Sequence, residues 1–177
     1  MVKLRKAVAY RRVERPYTRR SKFRKLSYVR AIPQIKIPKF ETGNLQKKFE
    51  YTLELRSEKL IQIRHNALES ARKSSNRWLE KKLGKDGYKL KIVAYPHHIL
   101  RENPLASGAG ADRMSTGMKM SFGKPIGLAA QVKVNQIIVS CSVNEAGLQV
   151  EKEAMDRARH KMPCGCRITR KKNTIIA

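Results

Sequence analysis

His160, Cys164 and Cys166 stand in an H-x3-C-x-C arrangement, and Cys141 would be the obvious fourth donor if they held a metal. Structural zinc sites close four ligands around the ion and most often include a cysteine pair spaced by about two to four residues. The single residue between Cys164 and Cys166 is a poor bite for tetrahedral geometry. Cys141 therefore reads as a small buried strand residue, and Cys164-Gly165-Cys166 as a turn leaving a helix. His97 and His98 are adjacent and point to opposite sides of an extended chain, which argues against a shared metal. Gly108-Ala109-Gly110-Ala111 fits neither G-x-G-x-x-G nor G-x4-G-K-[ST], and no helix start follows to aim backbone amides at a phosphate. No carboxylate pair is spaced for acid–base work, and no histidine stands near a serine in a nucleophile elbow. No cofactor or catalytic set is implied. An RNA-modifying or RNA-processing enzyme stays as the alternative class, beside other RNA-binding modules.

What remains unusual is Arg101 to Lys124. The segment holds four glycines (Gly108, Gly110, Gly117, Gly123) and three methionines (Met114, Met118, Met120), with neither helical nor strand periodicity. Loops beyond about 12 to 15 residues inside a compact domain are uncommon, and they are usually functional or disordered. We expect a long protruding loop here, unfixed in the free protein, with the rest of the chain as its scaffold.

Charge identifies what that scaffold meets. The chain has 40 Lys and Arg against 14 Asp and Glu, a net charge of +26, far beyond what solubility requires. Such a chain repels itself, and a polyanionic partner is the natural explanation. Residues 1–100 carry 27 basic and 8 acidic residues, whereas 101–150 carry 5 and 3, so the loop is not the anchor. Residues 1–30 hold twelve basic residues and one acid, Glu14, interleaved with Tyr10, Tyr17, Phe23 and Tyr28. The segment cannot bury enough apolar surface to offset its ordering entropy, so alone it should be disordered. Against RNA, its cations neutralise phosphates and its rings can stack on unpaired bases. The candidate contacts are Arg5, Lys6, Arg11, Arg12, Arg15, Arg19, Arg20, Lys22, Phe23, Arg24 and Lys25.

The elements between are readable from periodicity. Residues 31–48 alternate apolar and polar positions around Pro33 and Pro38, so they form an edge strand at most or an extended connector, with a turn at Thr42-Gly43-Asn44. Phe49, Tyr51, Leu53 and Leu55 alternate with polar residues, predicting a half-buried antiparallel strand. Leu68, Ala71, Ser75, Trp78, Leu79 and Lys82 or Leu83 trace a helical stripe ending at Gly84, with Asn66 and Glu69 resembling a capping box and Ser57 a competing start. Its opposite face carries Arg72, Lys73, Arg77 and Lys81, the first three of which join the candidate phosphate contacts. Tyr88–Tyr95 predicts a second strand, closed by Pro96-His97-His98. Residues 125–134 and 136–143 read as a central hairpin. A second helix is expected over about 149–161, with Val150, Ala154, Met155 and Ala158 inward, Glu151 and Glu153 near its positive end, and Pro163 as its stop. Cys166–Arg170 could be a short final strand, and the C-terminal tail at 171–177 has no readable role.

This gives an α+β domain over 31–170, with a basic N-terminal segment at 1–30 and a loop at 101–124. No run of 18 or more apolar residues supports a transmembrane helix. Charge breaks up the apolar positions near the N-terminus, so no signal peptide is expected. Three cysteines make a poor disulfide framework, which suggests a reducing, intracellular setting.

Four segments in order carry a resemblance. Ser21-Lys22-Phe23-Arg24-Lys25 resembles a Thr-Lys-Phe-Arg-Lys, and Asn66 to Arg72, NALESAR, resembles a Q-Q-I-E-A-A-R helix start. Asn103-Pro104-Leu105-Ala106 with Arg113-Met114 resembles K-P-L-A and R-M-G-K-G-K-G, and Ala154 with Lys161-Met162-Pro163 resembles a helix end. Together they are similar to the universal large-subunit ribosomal protein family "L sixteen". The opening YRRVERPYTRR resembles its archaeal and eukaryotic form, "L ten e". The chain departs from the bacterial pattern where S-G-A-G-A-D intervenes before Arg113 and where Ser115-Thr116 replaces the first Gly-Lys. The resemblance implies an antiparallel sheet with two helices packed on it, a cytoplasmic place in the large ribosomal subunit, and no enzymatic activity. Implied partners are large-subunit rRNA, neighbouring ribosomal proteins and, through the loop, tRNA near the peptidyl transferase centre, with no membrane and no homo-oligomer. Arg101, Gly108, Gly110, Arg113, Met114, Lys119 and Lys124 would be its residues near that centre.

Overall fold

The computed structural model describes residues 6–13, 23–27, 29–102 and 123–173. Among these, eight strands and two α-helices form an α+β fold with two antiparallel sheets. The strands are β1 (Glu41–Gly43), β2 (Tyr51–Ser57), β3 (Ile61–Arg64), β4 (Tyr88–Ile92), β5 (His98–Glu102), β6 (Lys124–Val132), β7 (Ile137–Val143) and β8 (Cys166–Lys172). The helices are α1 (His65–Leu83) and α2 (Leu148–Arg159). The larger sheet has the order β1-β4-β7-β2-β8, and the smaller one β3-β6-β5.

Alternation drives the large sheet. Leu53 and Leu55 of β2 are buried while Thr52, Glu54 and Arg56 are only half-buried. The apolar β7 lies in the middle, laddered to β2 on one side and β4 on the other. Helix α1 places Leu68, Ala71, Ser75 and Leu79 out of solvent and contacts β3, β4, β6 and α2. It thereby touches both sheets. Helix α2 buries Ala154, Met155 and Ala158 over β2, β7 and β8. The guanidinium of Arg157 lies 3.8 Å from the centre of the Trp78 ring, tying the helices together at their surface. Gly84, at φ 72°, ends α1, and its N–H donates to the Glu80 carbonyl.

Several expectations are corrected. The two apolar runs after the loop do not pair as a hairpin: β6 is the middle of the small sheet and β7 the middle of the large one. The break between them carries Asn135 at φ 63°. Its N–H donates to the Ser57 carbonyl, and the Ser57 N–H donates to Gln136, so the end of β2 redirects the chain from one sheet to the other. Gly43 belongs to β1, and the turn begins at Asn44, whose Oδ1 accepts the N–H groups of Gln46 and Lys47. No capping box forms, because α1 already starts at His65, and Arg64 at its N-cap makes no side-chain capping bond. Strands β3 and β5 were not expected. Ile61, Gln62 and Ile63 are buried in succession, so β3 lacks the alternation that marks a strand with one wet face. The loop is also shorter than expected, since Arg101 and Glu102 end β5 and Lys124 begins β6, facing one another across a ladder.

Glu151 falls in the first turn of α2 as expected, but its side chain is fully buried. One oxygen accepts the Leu53 N–H at 3.3 Å, and the other has no hydrogen-bond partner among the described residues. Burial pushes this carboxyl up to about 8, against the pull of the Leu53 N–H and the Cys141 thiol. The folded state therefore holds a proton that the unfolded state releases near the usual 4.5, so stability is lost as pH rises from about 4.5 to about 8 and levels off above. In urea denaturation the wild-type protein should lose roughly 2 to 4 kcal/mol across that window relative to a Glu151→Gln variant, whose profile stays flatter. Parallel pH profiles for the two proteins would refute the assignment.

Candidate nucleic-acid interface

Asn66, Glu69, Ser70, Lys73, Ser74 and Arg77 recur at helical spacing along one outer stripe of α1. With Lys36, contributed by the segment before β1, they line an open groove of about 450 Å³. At 1.5 Å per residue the stripe runs for about 16 Å. Lys36, Lys73 and Arg77 are exposed, whereas Glu69 is buried.

The one acid in the groove is already matched. Arg72 grips Glu69 with both arms of its fork, Nε and Nη2 each 2.8 Å from a carboxylate oxygen. Burial would raise the Glu69 carboxyl, but Arg72 and then Lys73 outweigh it and hold it below the usual carboxylate range. The side chain of Arg72 is only 12% exposed, while that of Lys73 is 70% exposed and 3.6 Å from Glu69. Arg72 is thus committed within the fold. The groove is left with three outward cations, and among the described residues neither Lys36 nor Arg77 forms an ion pair.

The N-terminal segment docks beside the start of α1. Its turn, Ala7–Tyr10, buries the Tyr10 ring against Leu100 and Ala129 of the small sheet. The Tyr10 hydroxyl donates to Glu102 at 3.1 Å. Gln62 of β3 donates its backbone N–H to the Arg11 carbonyl and its side-chain amide to the Tyr10 carbonyl. The Arg64 guanidinium lies 5.8 Å from the Tyr10 ring centre. Tyr10 is thus a core residue rather than a ring offered to bases. Lys6, Arg11 and Arg12 remain exposed on this docked turn, as do Lys25 and Phe23, the latter 66% exposed. Arg24 opens the short turn Arg24–Leu26. His65 joins the two regions: burial pushes its imidazole below the usual 6.5, and the charges of Lys36 and Arg64 push it further, so it stays neutral at pH 7.

Arg5, Arg15, Arg19, Arg20, Lys22, Gly108, Gly110, Arg113, Met114 and Lys119 lie outside the described residues. Arg101 and Lys124 sit at the root of the loop, where the Arg101 Nε donates to the Gly123 carbonyl at 2.9 Å. Sequence reasoning missed Lys36, which approaches α1 only through the fold. It also missed Lys47, Lys48 and Lys89, which share a recess of about 310 Å³ with Phe49 and Asn173. Among the described residues no helix is long and apolar enough to cross a membrane, and no three His, Cys, Asp or Glu side chains gather as a metal site.

A family model described as ribosomal protein L16p/L10e matches residues 14–169. A Methanococcus maripaludis protein named large ribosomal subunit protein uL16 is 46% identical over 166 residues, 93% of this chain and 92% of its own. Proteins of the same name from Staphylothermus marinus and Archaeoglobus fulgidus are 46% and 43% identical, over 86% and 90% of this chain and 84% and 88% of theirs.

Joint replacement of Lys73 and Arg77 by Glu should reduce the salt slope of RNA binding by about 2, one per lost phosphate contact, while stability changes by less than about 1 kcal/mol. Arg72→Ala should do the reverse, lowering stability by roughly 1 to 3 kcal/mol because Glu69 is left buried without its fork. Filter binding at several salt concentrations, with urea denaturation of the same proteins, separates the two.

Proposed function

The chain belongs to the ribosomal protein L16p/L10e family, and from that premise we infer that it anchors to large-subunit rRNA through its basic surface. It is a non-enzymatic structural component of the large ribosomal subunit, which is cytoplasmic in archaea, with rRNA and neighbouring ribosomal proteins as its surroundings. The observation that carries the rRNA reading is the row of Lys36, Lys73 and Arg77 in the α1 groove, three exposed cations left over after Glu69 is matched by Arg72. Lys6, Arg11, Arg12 and Lys25 extend the positive surface, and Arg5, Arg15, Arg19, Arg20, Lys22 and Arg24 continue it along the N-terminal segment. Their charge offsets phosphates of rRNA segments that would otherwise repel one another.

The loop between β5 and β6 serves a different end. It reaches towards the peptidyl transferase centre and bound tRNA, with Gly108 and Gly110 allowing close backbone approach and Arg113 and Lys119 making the few charged contacts. Met114 adds an apolar contact, and Arg101 and Lys124 fix the root. The antiparallel pairing of those two strand ends supports this division of labour, because the sheet can stay closed whatever the loop meets.

Two measurements test the reading. Binding to large-subunit rRNA should be steeply salt-dependent, with six to ten phosphate contacts weakening it by roughly 10³ to 10⁵ between 50 and 200 mM salt. A slope below about 3 would contradict an electrostatic anchor. Shortening Ala106 to Thr116 should leave folding and rRNA affinity nearly intact yet impair subunit maturation or tRNA handling. Loss of rRNA binding in the shortened protein would show that the loop is part of the anchor instead.

A further inference from the structure

The ribosomal role leaves unused the motif richest in reactive atoms, H-x3-C-x-C. Its members separate into unlike environments. His160 is engaged by its own helix end, its Nδ1 2.7 Å from the Asp156 carbonyl. Cys141 has no exposure at all within β7. Cys164 and Cys166, by contrast, hold their sulfurs 3.7 Å apart. Cys166 is 5% exposed and Cys164 only partly buried, so Cys164 is the more accessible residue of the pair.

Three anchors fix this pair. Cys166 opens β8 and faces Ser57 across the ladder with β2. The Gly165 carbonyl accepts the Glu58 N–H at 3.1 Å, holding the linking residue against the turn that follows β2. The Ser57 hydroxyl oxygen lies 3.6 Å from the Cys164 sulfur, and the Cys166 thiol donates to the Cys164 carbonyl at 3.6 Å.

We propose that Cys164 and Cys166 form a reversible dithiol–disulfide site for hydroperoxides, with Cys164 as the nucleophile and Cys166 as the resolving thiol. The Cys164 thiolate attacks one peroxide oxygen; the S–O bond forms, the O–O bond breaks, and hydroxide leaves as water after taking a proton. Cys164 is then a sulfenic acid. The Cys166 sulfur attacks the Cys164 sulfur, the S–S bond forms, the S–O bond breaks, and the departing hydroxide leaves as water with the Cys166 proton. The two thiols lose two electrons and hydrogen peroxide is reduced to two waters.

The direction of attack follows from the surroundings. The Cys166 thiol, 3.7 Å away and able to turn its one proton from the Cys164 carbonyl to the Cys164 sulfur, holds the Cys164 thiol below its usual range, against burial, with Ser57 and the charge of Arg11 assisting and Glu58 opposing. The same contact pushes the Cys166 thiol up, and burial adds to it. Attack needs a thiolate that solvent can reach, and only Cys164 meets both conditions. The ring closed by a disulfide across one residue is small and strained, so thiols should reopen it readily.

The test uses the full-length protein treated with stoichiometric hydrogen peroxide, then alkylated and measured as the intact chain. Wild type should lose about 2 Da and two alkylatable thiols, both restored by dithiothreitol, with Cys141 unchanged. Cys166→Ser should instead give a sulfenic acid on Cys164 that dimedone captures. Cys164→Ser should consume peroxide about tenfold more slowly. The proposal is overturned if wild type gives sulfinic acid or an intermolecular disulfide at that dose, or if Cys164→Ser reacts as fast as wild type. The wild-type mass change stands as a readout even if a variant folds poorly.

Discussion

Leu68, Ala71, Ser75 and Leu79 are excluded from solvent along one side of α1, and their packing joins the five-stranded sheet to the three-stranded one. Each buried aliphatic side chain there contributes roughly 1.5 to 3 kcal/mol relative to exposure. Ser75 can share the stripe because its hydroxyl donates to the Ala71 carbonyl at 2.8 Å, so no buried donor is orphaned. The helix axis is thereby fixed, and with it the outer stripe from Asn66 to Arg77. Lys73 and Arg77 project where they do because Leu68 and Leu79 cannot turn outward. The groove follows from the core.

A net charge of +26 sets the opposing constraint. Four of the acids are placed where they hold a cation: Glu69 with Arg72, Glu41 with Lys91, Glu54 with Arg56 and Asp156 with Arg159. Most of these pairs are partly exposed and each adds a fraction of a kcal/mol to about 1 kcal/mol. They cannot offset the repulsion of the remaining cations. The free protein therefore stands under electrostatic strain that binding to a polyanion relieves, and affinity and folding respond together to ionic strength. Tyr10 shows how the tail shares in this. Its ring is held by Leu100 and Ala129, so the neighbouring Arg11 and Arg12 are presented from a fixed turn rather than from a free chain.

Sequence periodicity revealed β2, β4, both helices and the helix end at Gly84, because each carries its own repeat or stop, while β8 was expected only as a short strand and runs on to Lys172. It did not reveal that β6 and β7 belong to different sheets. Both runs are apolar and β-branched, and partner choice rests on Ser57 and Asn135 meeting across the fold, which no local pattern encodes. The strands β3 and β5 are short and lack clean alternation. Glu151 was legible as a helix-start acid but not as a buried one, since that depends on the Leu53 N–H it meets. In the same way Arg72, Lys73 and Arg77 looked equivalent along one helix face, and the buried two-armed grip on Glu69 separates the committed Arg72 from the outward pair. Lys36 completes the groove from the segment before β1, whose alternation says nothing of the helix it meets.

The three cysteines carry this reasoning to its end. As letters they are identical, and as a metal-ligand spacing they are poor. In the fold, Cys141 beside Glu151 has its thiol pushed well up by burial and then by the neighbouring carboxyl, which leaves it an inert core residue. Cys164 has the opposite shift, first because a second thiol stands within reach, with a hydroxyl assisting, and this outweighs its burial. The single intervening residue that spoils tetrahedral coordination is what holds two sulfurs in contact. Spacing argued against one chemistry; the β2–β8 register and the Glu58–Gly165 bond supply the conditions for another.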